Sequence, residues 1–235
     1  MSLLTLIQDA ADLIGLPQPS AVISSTDQSV ITLLAIANVE GKQLKNLGQW
    51  STLTEEHTFS TVNGTASYAL PDDFDSMMNQ TSWNRTSNSP MRDAISAKSW
   101  QASKSGLLTP SGLNSGFRIK GNSTTQFFID PTPTAAETIA FDYQSDEWCE
   151  SSGGTGQTTW AADDDVGVLE EDIMLLGIEW RYRRAKGLSY TGMQSDYLAF
   201  ANKRLGAYRG AEEIQTSDHN TARTFNPNIP ETGFG

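Results

Sequence analysis

A chain of 235 residues with 28 acidic and 16 basic side chains carries a formal charge of −12, and its pI is near 4.5. That balance argues against a protein that grips nucleic acid, because such a grip needs a basic face to release counterions. The single Cys149 rules out an internal disulfide, and its neighbours Glu147 and Glu150 disfavour a thiolate nucleophile.

The length suits one domain, or one domain carrying an insertion. Met1-Ser2-Leu3-Leu4 lacks the basic lead and apolar run of a signal peptide. No apolar stretch approaches the ~20 residues of a membrane span. The expectation is a protein that stays in the compartment where it is made, or in an assembly built there, without a membrane partner.

Ser2 is placed to cap a helix carrying Leu3, Leu6, Ile7, Ala10, Leu13 and Ile14, which Gly15 and Pro17 close. Ser25-Thr26-Asp27-Gln28 has the spacing of a capping box and opens a second helix to about Leu47. Within it Gly41 is expected to let another backbone approach closely. From Trp50 the period changes to two. Strands over 54–59 and 65–70 flank Val62-Asn63-Gly64 and predict a hairpin. Asp72-Asp73-Phe74-Asp75 reads as a turn, 80–86 as a strand, and 96–103 as a short helix. Strands follow at 117–120, 126–129 and 138–143. The stretch 150–165, rich in Gly, Ser, Thr and Asp, reads as a long mobile loop. Its end, Asp163-Asp164-Asp165, reads as a solvated acidic run leading a helix.

The helix from Leu169 to Gly187 has two apolar stripes. Leu169, Ile173, Leu176 and Trp180 form one; Leu175, Ile178, Tyr182 and Ala185 form the other. One stripe serves the subunit's own core. The second faces either another helix of the same subunit or a neighbouring copy of the chain. Ile178, Trp180, Arg181, Tyr182, Arg183 and Arg184 are therefore the candidate interface residues. The basic cluster from Arg181 to Lys186 suits the helix dipole and solubility, or pairs with a partner's carboxylates. A last helix covers about 191–208. From Gly210 the chain loses all periodicity. Its isolated apolar residues Ile214, Phe225, Ile229 and Phe234 belong to a free tail or to one that orders against a partner.

The fold class is thus α+β: N- and C-terminal helices form a helical bundle, with a β-rich insertion and an extended C-terminal tail. The divisions are 1–50, 51–165, 166–210 and 211–235. No metal or cofactor is expected, since His57, His219 and Cys149 have no ligand spacing. No nucleophile elbow or phosphate loop occurs, and the chain does not read as an enzyme.

An ordered set of motifs carries a resemblance. It comprises Ala69-Leu70-Pro71-Asp72-Asp73-Phe74, the segment through Trp83-Asn84-Arg85, and Ser99-Trp100-Gln101. It continues through Phe117-Arg118-Ile119-Lys120-Gly121-Asn122, Asp130-Pro131-Thr132-Pro133 and Phe141-Asp142-Tyr143 to Trp148. It ends with Asp172-Ile173 and Trp180-Arg181-Tyr182-Arg183-Arg184-Ala185-Lys186-Gly187-Leu188. Over about two thirds of its length the chain resembles the head-to-tail adaptor (head-completion or connector) proteins of tailed bacteriophages. The resemblance implies a structural virion protein in a ring, usually of twelve copies, with the portal protein on one side and the tail or nozzle on the other. It implies that DNA passes through the lumen without specific binding, and that the protein is assembled in the host cytoplasm. A lumen lined by carboxylates, without a basic stripe, is the matching expectation for this acidic chain. Another virion part, such as a tail nozzle, tube or decoration protein, is the alternative, and a phage wall hydrolase a remote one.

Overall fold

The computed structural model describes residues 1–92, 96–105, 115–121 and 125–208. Helix α1 spans Leu3–Ile14; Ser2 is extended before it and accepts the Thr5 N–H on its hydroxyl. Gly15 closes the helix at φ 81°, and its N–H reaches back to the Ala11 and Asp12 carbonyls. A side chain would be strained in that left-handed conformation. Helix α2 is Gln28–Lys45. Its N-cap is Asp27, whose carboxylate accepts the Ser29 N–H, while Ser25 accepts the N–H of Asp27. The expected capping box is therefore displaced: Asp27 caps, and Ser25 braces the cap.

The middle of the chain holds short strands: β1 (Thr54–Ser60), β2 (Ser67–Ala69), β3 (Phe74–Met77), β4 (Trp83–Asn84) and β5 (Ser89–Pro90). Helix α3 (Ala97–Ser105) precedes β6 (Gly116–Lys120), β7 (Gln126–Asp130) and β8 (Thr138–Ser145). The strand expected over 80–86 is only the two residues of β4.

The expected hairpin needs correction. The Asn63-Gly64 turn exists, with Gly64 at φ 79° and the Thr65 N–H donating to the Val62 carbonyl at 3.0 Å. Its flanking strands nevertheless part. β1 runs antiparallel to β8, from Thr54 opposite Gln144 to Ser60 opposite Thr138, while β2 pairs with β7. A tight turn sets chain direction, but strand partners follow side-chain packing. Phe59 and Tyr68 still meet at 4.8 Å, so an aromatic contact replaces the ladder between them.

β8 is the common partner of β1, β3 and β4, and β5 extends the sheet beyond β4; β2, β7 and β6 form a second sheet. Phe117, Phe127 and Phe141 stack in sequence between the sheets, with centroids 4.8 and 5.2 Å apart. With Ile129, Ile139, Tyr143 and Met91 they form one buried core.

The second core is helical. After β9 (Cys149–Glu150), β10 (Gly156–Gln157) and β11 (Val166–Gly167) come α4 (Glu171–Ala185) and α5 (Thr191–Tyr208). α4 packs against α1, α2 and α5, and side chains of all four helices share one hydrophobic cluster with Trp50, Trp148 and Trp160. The molecule is α+β, with helices from both ends of the sequence in one core. Two ties bind that core to the sheets. The Gln144 amide donates to the Lys45 and Gly48 carbonyls, and Lys45 pairs with Asp75 at 2.6 Å.

The stretch 150–165 is not the mobile loop its composition suggests. β9, β10 and β11 form a small antiparallel sheet. Trp148 and Trp160 meet edge to face at 5.3 Å, and both are buried. Two indoles outweigh a polar loop composition because each removes a large apolar area from water. Trp148 also explains Gly41: a side chain there would collide with the indole, so the close neighbour is a ring, not a backbone.

Candidate assembly surfaces

The first candidate surface is α4, and the structure divides its six expected interface residues. Ile178 is fully buried, and Trp180 and Tyr182 are 5% and 4% exposed, all within the subunit's own helical core. The two-stripe pattern therefore corresponds to three helical neighbours in one chain. Of the two readings of the second stripe, packing within the subunit accounts for Ile178 and Tyr182, while Trp180, of the first stripe, serves the subunit's own core; none of the three is free to meet a neighbouring copy. Arg183 lies along α4 and holds Glu179 at 3.0 Å, one turn earlier. Arg184 is exposed.

Arg181 turns inward. It pairs with the Glu40 carboxylate of α2, which is fully buried. It also donates to the Gly177 carbonyl at 3.0 Å and the Gln43 side chain at 2.7 Å. Its guanidinium lies 4.4 Å from the Trp180 ring centre and 5.5 Å from that of Tyr197. Burial lowers its pKa from the ordinary arginine value, and Tyr197 opposes that shift. Gly177 completes the arrangement, since a Cβ there would overlap the Glu40 carboxylate. The ion pair thus joins α2 to α4, and the same guanidinium meets α5 through the Tyr197 ring. The sequence reading singled out Arg181 but missed Glu40 and Gly177. An acidic residue one position before Gly41, on the apolar side of α2, was the available signal.

The acidic run at 163–165 is likewise structural, not solvated. The Asp163 carboxylate accepts the N–H groups of Val22 and Ile23, at 3.1 and 2.7 Å. The buried Asp165 carboxylate accepts those of Ala161 and Ala162. The carbonyls of Asp165 and Asp163 accept from Leu3 and Leu4, at 2.8 and 3.0 Å. These N–H groups lie in the first turn of α1, where a helix has no internal acceptors. Asp164 alone stays exposed.

An acidic surface lies where the sheet meets the helical core. The Tyr143 hydroxyl donates towards Glu55 at 3.2 Å and towards Asp73 at 3.0 Å. Burial, then the two carboxylates, push its pKa well above the ordinary tyrosine value. Asp146 and Glu147 are raised above the usual carboxylate range, first by burial and then by neighbouring carboxylates including Asp73; Lys45 opposes the rise at Asp146. Burial also pushes the Cys149 thiol up to about 12, with Asp165 and Glu147 adding to the shift. A thiol so placed stays protonated at neutral pH and is no nucleophile. His57 stacks on Phe59 and lies beside Phe141, and burial lowers its pKa.

A basic surface occupies the outer side of the β2-β7-β6 sheet, where α3 rests. Trp100 is 5% exposed and meets Phe128 edge to face. Lys104 and Lys120 flank the Trp100 ring at 5.2 and 5.5 Å, Lys120 lies 4.1 Å over Phe128, and Lys104 pairs with Asp130 at 2.6 Å. Arg118 sits opposite Phe128 in the ladder, and Lys98 is exposed on α3. The sequence reading missed this surface because overall charge hides a local excess of the opposite sign.

Among the described residues, no group of His, Cys, Asp and Glu is arranged to hold a metal ion, and no helix is long and apolar enough to cross a membrane. The tail residues Ile214, Phe225, Ile229 and Phe234 lie outside the described residues. No curated protein matches the chain. The family described as SU10 adaptor protein matches residues 1–229, and that match takes in both cores and both charged surfaces. The chain belongs to the phage SU10 adaptor protein family, a family of structural virion proteins.

Proposed function

We propose that the protein is a ring-forming head-to-tail adaptor, twelve copies of which join the portal to the tail or nozzle while DNA passes through the lumen. The family match from residue 1 to 229 is the observation that carries this reading. The helices at 1–50 and 166–210 act as a bundle, a rigid body held by the Glu40–Arg181 pair and the Asp163 latch. The β-rich insertion at 51–165 supplies surfaces for neighbours. Arg183 and Arg184 retain a partner role, because they lie on the side of α4 that its own core does not fill. Ile214, Phe225, Ile229 and Phe234 dock the segment 211–235 on the portal, with Pro227 and Pro230 keeping it extended and lowering the ordering cost. The acidic majority of the surface lines the lumen, where phosphate is repelled and DNA slides without being held.

The test is co-assembly with purified portal rings, followed by imaging of the complex. A closed ring of this chain on one face of the portal is the expected result. Removal of residues 220–235 should leave α1, α2, α4 and α5 folded but weaken attachment to the portal. Unchanged attachment removes the role proposed for the tail.

A further inference from the structure

The charge of this chain is segregated. The stretch 87–129 holds five of the sixteen cations, Arg92, Lys98, Lys104, Arg118 and Lys120, but one of the twenty-eight carboxylates, Asp93. In space, Lys104, Arg118 and Lys120 gather around the Trp100–Phe128 contact on the outer side of one sheet, and Lys98 is exposed on the same helix, α3. Glu55, Asp73, Asp146 and Glu147 gather at the junction of the other sheet with the helical core; Glu55 is exposed, as is Asp72 beside Asp73 in the chain. Within one chain the acidic group is poorly compensated: like charges face one another around Tyr143, with Lys45 already committed to Asp75.

We propose that the basic surface around Trp100 docks onto the acidic Glu55–Asp72–Asp73 surface of a second copy of this chain. The inference rests on the ring reading and deepens it. Two copies at −12 each repel overall; a local match of opposite sign offsets that repulsion and fixes orientation. The two surfaces are different patches of one molecule, so the contact is head to tail. A head-to-tail contact generates a ring when its rotation closes, whereas a twofold dimer needs one self-complementary patch. DNA is the less suitable occupant. Trp100 is 5% exposed and so offers no face for base stacking.

The test is sedimentation of the purified full-length chain at low and high salt, alone and with portal. The wild type should form a particle that loosens as salt rises. Lys98→Glu/Lys120→Glu should weaken association by about tenfold or more, since it sets like charges face to face. Adding Glu55→Lys or Asp72→Lys should restore it. Lys98→Glu alone leaves both lysines at the Trp100 ring in place, guards against misfolding, and should weaken association in the same direction. Association unchanged in these variants, loss that neither lysine substitution rescues, or loss of duplex-DNA binding with association intact overturns the contact. A wild-type chain that stays monomeric even with portal overturns the ring reading itself, and this contact with it.

Discussion

At Gly177 the Glu40 carboxylate occupies the space a side chain would need. Gly177→Ala should therefore cost about 1–3 kcal/mol, the usual range for overpacking a filled core. Glu40→Ala leaves the Arg181 guanidinium buried without its partner and should cost about 3–5 kcal/mol. Replacing both residues, as in Glu40→Leu/Arg181→Leu, should recover most of that loss, because the desolvation penalty disappears together with the attraction. Denaturant unfolding of the three variants beside the wild type reads these differences. Equal losses in the single and double variants would show that the pair contributes through shape alone. Asp146 supplies a pH signature. Its folded pKa lies above the ordinary value, so the native state binds the proton more tightly than the unfolded chain does. The stability it contributes is present below the unfolded pKa and is lost as pH rises through the folded one. Asp146→Asn should consequently raise the melting temperature at pH 7, and the difference should vanish below the carboxylate range. A lower melting temperature at pH 7 would instead assign the Lys45 attraction the larger share.

The ends of α1 were legible because their signals are local: Ser2 and Gly15 end it as the sequence states, and the turn at Gly64 is where Asn-Gly puts it. Strand pairing was not, since the partners of β1 and β2 lie more than fifty residues away and are chosen by the Phe59, Phe127 and Phe141 packing. The stretch 150–165 was misread because composition records its glycines but not the neighbours of Trp148 and Trp160. The same limit applies to the surfaces: Arg181 was visible in a cluster, while its partner Glu40 is 141 positions away and marked by no motif. Two contrasts test the elements as the structure has them. Asp163→Ala removes the acceptor for the Val22 and Ile23 N–H groups and should cost about 1–3 kcal/mol, whereas Asp164→Ala should stay within about 0.5 kcal/mol of wild type. Ile178→Asp should unfold the subunit, because it places a charge inside the helical core, while Arg184→Glu should leave its melting temperature unchanged. Normal folding of Ile178→Asp with failed assembly would return that stripe to a neighbouring copy.

On the scale of the molecule, a helical core, an aromatic core between two sheets, and surfaces of opposite charge belong to one chain. That combination suits a part whose work is to hold neighbours in a fixed geometry, and the family match assigns it to a virion. In the proposed ring, the demands on the chain fall on its contacts: between copies, towards the portal, and towards the tail. The mass of the particle formed by the 25.6 kDa full-length chain on isolated portal rings tests the central claim most directly. The account predicts a discrete closed assembly of twelve chains on one face of the portal. A chain that stays monomeric and unbound beside intact portal rings would contradict it.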